Sequence, residues 1–368
     1  MEFKEIKMPF SLARSVLALG SQNKNTVCFA KGKSVFISGT HSNLSDPDEL
    51  SCFERIVKYF LKNGPKVIAC DLHPEYNSSK FAFEVSKCQG IKVSEIQHHH
   101  AHIASCMADN GLVNQKVIGV AFDGTGLGSD GTLWGAEFLI SDYRNFYRAA
   151  HLKEIALIGA EKAILEPWRL LAGLGLARPD SVNKNDWQTV KKLYSKDFNS
   201  PYASSMGRLF DAAACVILDK PRAGFEAGLA IELEHTAISF QPSAFSHQLS
   251  ANSYKYKIIK NKDKFVVDPI PIFKDIIRDL QKKEPKAKIA YRFHLTVADI
   301  ISKICKLLRK KYKINKVVLS GGVFQNNLLL RLSLGLLYKE GFKVFIHKDL
   351  SCNDSGISLG QAVIAGIR

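Results

Sequence analysis

No Cys-x-x-Cys pair occurs in the 368 residues, although the chain has eight cysteines. Cys28, Cys52, Cys70, Cys88, Cys106, Cys215, Cys305 and Cys352 are scattered, most of them in apolar runs such as VIAC and DAAACVIL. A disulfide or zinc framework is excluded, and reduced core thiols are expected. No apolar run reaches 18 residues, and the first 20 residues carry Glu2 and Glu5 and break at Pro9. Neither a membrane span nor a signal peptide is indicated, and a cytoplasmic location is expected. Acidic residues are scarce in one region: positions 253–316 hold 19 Lys/Arg against 6 Asp/Glu, most of a formal net charge of +16. Such a stripe can draw nucleic acid or an acidic partner. Its lysines lack the interleaved aromatics of a base-stacking platform, so a solvated face is expected rather than a nucleic-acid surface.

The 46% hydrophobic and 23% charged content is that of a soluble globular protein, and the length exceeds one ordinary core. Two stretches share a plan. The first runs from a short strand in SVLALG (15–20) into a hairpin, NTVCFAKGKSVFISG (25–39), turning at Lys31-Gly32-Lys33. A helix (47–64) and the buried strand KVIACD (66–71) follow. The second plan opens with the strand KVIGVAFDGTG (116–126), a Gly-rich turn and the returning strand GTLWGAEFLI (131–140). Helical sequence, the strands KVVLSGG and KVFIHKD, and a last helix complete it. The reading is α/β, with duplicated lobes of the actin/hexokinase/Hsp70 ATPase type around a central cleft. Residues 1–112 form the first lobe. Residues 113–368 form the second, with helical insertions at about 150–310 and a C-terminal segment closing the cleft. The polar stretches 178–200 and 242–268 read as insertions or loops.

Four histidines crowd into EIQHHHAHIASCMADNG (95–111). Scattering 11 His over the chain gives on the order of 0.3 pairs spaced i, i+4, so one such pair says little, but four in five positions says more. On a helix ending at Asn110-Gly111, His98 and His102 lie one turn apart on one face, where both can meet a single ion. His99 and His100 point elsewhere. Polar residues at an ordinary helix start are the alternative. Two imidazoles need a further carboxylate, and Asp123, at the end of VIGVAFD, is a candidate. The glycines Gly124, Gly126 and Gly128 after it either admit an anion to backbone N–H groups or simply form a hairpin turn. Gly321, Gly322 and Asn326 in LSGGVFQNNLLL suit a nucleotide or a capped helix. Asp354 reads as a ligand or a helix cap. Asp211 and Glu226 read as acids in apolar helices, in need of a partner such as a ribose hydroxyl.

Taken in order, IQHHHAHIAS, VAFDGTGLGSDGTLWGAEFL, EKAILEPWR, SSMGRLFDAAA, FEAGLAIELE, LSGGVFQNNLLL and NDSGISLGQA resemble the C-terminal domain of HypF. HypF is the carbamoyltransferase that matures nickel–iron hydrogenases, and its domain is related to TsaD-type tRNA threonylcarbamoyl transferases and antibiotic O-carbamoyltransferases. The resemblance runs from about residue 15 to the C-terminus. It implies that His98, His102, Asp123 and Asp354 bind a divalent metal, Fe(II) or Zn(II). It further implies that the 124–128 loop, including Gly124, Thr125 and Gly126, holds the phosphate of carbamoyl-adenylate, an ATP-derived nucleotide. Asp211, Glu226, Gly321, Gly322 and Asn326 would surround the adenosine, and Lys24 and Lys162 would lie near the phosphate or carbamoyl group as catalytic lysines.

The family pattern EGQAA reads EAGLA here. Sequence resembling HypF's acylphosphatase, Cys-rich and YrdC-like domains is not seen, so the expectation is the final transfer alone, either with a separate YrdC-like/acylphosphatase supplier or as a fragment of a longer protein. The implied acceptor is the C-terminal cysteine of HypE. The alternatives are a small-molecule hydroxyl, a tRNA-modifying role, or a non-catalytic binding subunit.

Overall fold

The computed structural model describes residues 2–240 and 253–367, arranged around two mixed β-sheets. In the first sheet the antiparallel run Val16–Ala18, Cys28–Lys31, Ser34–Ile37 is extended by the parallel strands Val67–Asp71 and Lys92–Ile96. In the second, Val117–Leu127, Leu133–Ser141 and Phe146–Leu152 run antiparallel, and Lys316–Ser320 and Lys343–Phe345 add in parallel. Both sheets thus order their core strands third, second, first, fourth, fifth. The two lobes share the ASKHA-type topology that the repeated pattern suggested.

Local chemistry accounts for the elements. Gly32 takes φ +60° at the first hairpin turn. The helix Pro47–Leu61 begins where the Asp46 side chain accepts the Asp48 and Glu49 N–H groups, with Pro47 in its first turn. Its buried Phe53, Ile56, Val57 and Phe60 cover Leu17, Phe29 and Ile68 of the first sheet. Every residue of Val67–Asp71 is buried, as a central parallel strand requires.

Two helices fill the space between the sheets. The histidine helix, His98–Asp109, packs on strands of the second sheet, and the C-terminal helix, Ile357–Ile367, packs on strands of the first. They meet so closely that a Cβ on Gly360 would stand 1.9 Å from the Ala101 carbonyl oxygen. The last helix therefore returns to the first lobe, across the expected division at residue 112. This crossing places the two histidines at the junction of the lobes.

The basic segment contributes a hairpin, Lys257–Asn261 with Lys264–Asp268, to an edge of the second sheet, and the helices Ile270–Gln281 and Lys286–Tyr312. The stretch expected as a loop at 242–268 is thus a hairpin at its end, while 242–252 lie outside the described residues. The other polar stretch, 178–200, contains the helix Lys184–Ser195, capped by Asn183 and anchored by Trp187 and Val190. Tyr254 and Tyr256 do alternate with lysines, but Arg292 and Lys303 lie over their rings at 4.3 and 4.9 Å. Those rings are not open for base stacking. Among the described residues no helix is long and apolar enough to cross a membrane.

Candidate metal centre

Gln97 starts the site. Its side-chain oxygen accepts the His100 N–H at 2.8 Å, and its amide donates to the Leu127 carbonyl at 3.1 Å, fixing the helix start against the strand Val117–Leu127. One turn apart on this helix, the His98 and His102 rings lie 5.0 Å apart at 79°. Both Nε2 atoms face one oxygen of Asp123, at 3.2 and 3.1 Å. Asp354 brings Oδ1 to 3.7 and 3.6 Å from the same nitrogens. The four donor atoms lie within 4.8 Å of one another, among side chains that are 1% exposed for the histidines and 22% for Asp354. Asn353, not Asp354, caps the short helical turn at 354–356, which leaves the Asp354 carboxylate to face the histidines.

Asp123 owes its position to a break in the ladder. Gly126 pairs with Trp134 and Phe122 with Ala136, so residues 123–125 oppose Gly135 alone. This bulge turns Asp123 toward the histidines and Gly124–Thr125, both half-buried, toward the cleft. The Gly-rich segment is therefore not the turn. Strand continues to Leu127, and the hairpin closes at 128–132, with Gly131 at φ +78° and the Gly128 N–H donating to Thr132. Gly126 is required by contact rather than by dihedral angle: a Cβ there would lie 2.9 Å from His98 and His99 ring carbons.

The far nitrogens of the pair are also held. His98 Nδ1 donates to the buried Asp71 carboxylate at 2.7 Å. His102 Nδ1 faces the Ser320 hydroxyl at 3.5 Å. Asp71 and Ser320 end equivalent parallel strands of the two lobes, Val67–Asp71 and Lys316–Ser320, so the duplication supplies one partner to each imidazole. With the Nδ1 protons so occupied, both Nε2 atoms point into the cluster. Burial alone would lower the pKa of His98, but the Asp71 and Asp354 charges and the bonds to Asp123 and Asp71 raise it well above its ordinary value. Burial opposes charge on His102 too, and Asp123 and Asp354 again outweigh it. Burial would raise Asp123, yet its bonds to His102 and His98 hold it well below the usual carboxylate range. The surroundings thus favour a positive charge between these groups, as two imidazoles and two carboxylates suit a borderline divalent ion. His99 and His100 are used otherwise. His99 packs near Trp134 and is held neutral by burial, and His100 Nε2 bonds the Asp142 carbonyl at 2.7 Å.

Beside the bulge lies a charged cluster that the sequence only half revealed. Asp211 is buried on the helix Met206–Leu218, and burial, offset by Arg208 and reinforced by Glu226, raises its pKa from 3.8 to about 6. Glu226 is no buried helical acid: the helix starts only at Gly228, and the side chain is 58% exposed. Arg208, unmarked in the sequence reading, joins them, with Nη2 3.1 Å from Asp211 and 3.5 Å from Glu226. Its side chain is 2% exposed, and its Nε and Nη1 have no hydrogen-bond partner. Tyr76 was missed as well. Burial and the nearby charges of Asp71, Asp354, Asp123 and Glu226 keep its phenol protonated.

The remaining candidates divide. Gly321, at φ +107°, lies against the Phe122 backbone, and the Gly322 N–H donates to Asp123 Oδ1 at 3.1 Å. Gly322 thereby braces the Asp123 carboxylate that faces the histidines. Asn326 caps the helix Asn327–Lys339, and its amide contacts His294 at 3.0 Å, so both ends of the side chain are already engaged. Lys24, exposed, sits on a strand packed against the Asp354–Gly356 turn. Lys162 begins the short helix Lys162–Leu165 and is exposed.

Two family models cover this architecture: the "HypF Kae1-like domain" over residues 11–109, and "Carbamoyltransferase, Kae1-like Domain, second subdomain" over 119–361. A curated "Carbamoyltransferase HypF homolog" of Cupriavidus necator is 32% identical, over 95% of this chain and 91% of that protein. "Carbamoyltransferase HypF2" of the same species is 31% identical over 95% of this chain and 46% of its own length. A crystal structure of full-length HypF in the phosphate- and nucleotide-bound form is 39% identical, with TM-score 0.89, covering 99% of this chain and 57% of that one. The chain spans about half the length of the HypF2 protein and of the full-length HypF structure it matches.

Proposed function

This chain belongs to the HypF carbamoyltransferase family, and from that premise we propose that it transfers a carbamoyl group from carbamoyl-adenylate to the C-terminal cysteine thiol of HypE. The observation that carries the reading is the convergence of His98, His102, Asp123 and Asp354 at the junction of the two lobes, beside the bulge and Arg208. A divalent ion held by those four residues would supply Lewis-acid polarisation of the carbamoyl carbonyl.

The protein's own groups do the rest. Asp71 fixes the His98 ring by accepting a hydrogen bond from its Nδ1–H, and the Gly322 N–H fixes the Asp123 carboxylate. The unpaired Nε and Nη1 of Arg208 provide a charged fork for the adenylate phosphate. The bulged backbone at Gly124 and Thr125 borders the same space, and Lys24 adds positive charge from the first lobe. Asp211 and Glu226 are available to ribose hydroxyls once Arg208 turns to phosphate. The acceptor thiolate attacks the carbamoyl carbon, a C–S bond forms, and the C–O bond to the phosphate breaks, releasing AMP. The product is a thiocarbamate. Cys352, at the edge of the cluster, does not suit the role of nucleophile, because burial and the Asp123 charge push its thiol up to about 11.

Mass spectrometry of purified HypE, incubated with this protein and carbamoyl-AMP, tests the acceptor. The expected result is a gain of one carbamoyl group on the C-terminal cysteine that vanishes with His98→Ala and Asp354→Ala. Unmodified HypE alongside a carbamoylated sugar or modified tRNA would transfer the activity to another acceptor, and inertness toward all three would leave a binding subunit.

A further inference from the structure

His102 has a longer line of partners than His98. Ser320 Oγ, which faces His102 Nδ1, lies 3.0 Å from His347 Nε2. His347 Nδ1 in turn lies 3.3 Å from Asp109 Oδ2. Asp109 is the last residue of the helix that carries both histidines. The same carboxylate accepts the backbone N–H groups of Lys348 at 2.7 Å, Asp349 at 3.2 Å and Leu350 at 3.3 Å. The chain from there leads directly into the turn that presents Asp354. One helix therefore delivers two of the four cluster residues from its first two turns, and grips at its last turn the segment that delivers a third.

With His347 neutral, one proton arrangement serves every contact while leaving His102 Nε2 free. His102 Nδ1–H donates to Ser320, the Ser320 hydroxyl donates to His347 Nε2, and His347 Nδ1–H faces the Asp109 carboxylate. His347 must be neutral for this, and its burial lowers its pKa despite the neighbouring Asp109. His98 achieves the same tautomer in a single step, against Asp71.

We infer that Ser320, His347 and Asp109 are positioning residues, a one-way relay that fixes His102 as an Nε2 ligand and ties the Asp354 segment to the histidine helix. The inference rests on the four-residue cluster being a metal centre. The test is Co(II) uptake by the full chain against a chromophoric chelator, with the visible spectrum of the bound ion and the melting temperature of the metal-free protein recorded in parallel. Ser320→Ala and His347→Phe are each expected to weaken Co(II) binding about tenfold and to alter its spectrum. The double variant should lose little more than either single, because the links act in series. His347→Gln, which keeps a donor and an acceptor, should recover part of the affinity. Ser320→Ala removes one buried oxygen and keeps the test open if His347→Phe fails to fold. Unchanged affinity and spectrum in the single variants, or losses that simply add, would overturn the relay while leaving the metal centre standing. A wild-type chain that takes up no Co(II) would overturn both.

Discussion

Gly126→Ala puts the packing of the metal centre to a direct test. The added methyl would stand 2.9 Å from His98 Cδ2 and His99 Cε1, and 3.0 Å from His98 Cγ. Carbon atoms in contact prefer about 3.5–4.0 Å, so something must move by about 0.6 Å or more. The His98 ring has little freedom to yield, because Asp71 holds it at 2.7 Å from behind. The histidine helix is equally confined, with Gly119 against Ile103 on one side and Gly360 against Ala101 on the other. Overpacking of this kind costs about 1–3 kcal/mol of stability. Ligand distances tolerate about 0.2 Å, so metal affinity should fall at least about tenfold. Gly124→Ala is the control: its nearest neighbour would be Glu226 Oε1 at 3.4 Å, an ordinary contact. Thermal melts of the metal-free protein and chelator competition measure the two effects separately. If Gly126→Ala matched the wild type in both, the claim that this glycine exists to seat His98 would be wrong.

Two further outcomes follow from the Arg208 cluster. Asp211 rises from 3.8 to about 6, so between roughly pH 4 and 6 the folded chain holds a proton that the unfolded chain has lost. That contribution to stability is full below about pH 4 and disappears as pH climbs through 6, up to about 3 kcal/mol. Urea denaturation should therefore show the stability of wild type relative to Asp211→Asn declining from pH 4 to 7, and parallel profiles would count against it. Ala227 occupies φ +63°, where the resembling family pattern has Gly and where an L side chain is strained. Ala227→Gly should raise stability by about 1 kcal/mol, read as a higher melting temperature, and a lower one would contradict the strain.

The repeated strand pattern and the His98–His102 spacing were legible because both are local periodicities. Glycines in a strand were harder. Gly124, Gly126 and Gly128 look like a turn in sequence, whereas two of them sit in the strand, where they permit a bulge and a close histidine. Glu226 was misplaced because the left-handed Ala227 separates it from the helix that its apolar neighbours suggest. Asp71 carried a signal that went unused: it ends the apolar run VIACD much as Asp123 ends VIGVAFD. His347 and Asp109 had no such signal, since Asp109 meets the 347–350 segment from more than two hundred positions away, across the junction of the lobes.

In the proposed reaction, carbamoyl transfer depends on an ion at His98, His102, Asp123 and Asp354. Metal content and AMP release from carbamoyl-AMP in the presence of HypE should be measured on the same preparations of wild type and the four single alanine variants. About one Fe(II) or Zn(II) per wild-type chain is predicted, with AMP release that stops on chelation, returns when the ion is restored, and is lost together with the ion in every variant. Full AMP release from a chelated, metal-free wild type, or from variants without the ion, would rule out metal-dependent transfer at these residues.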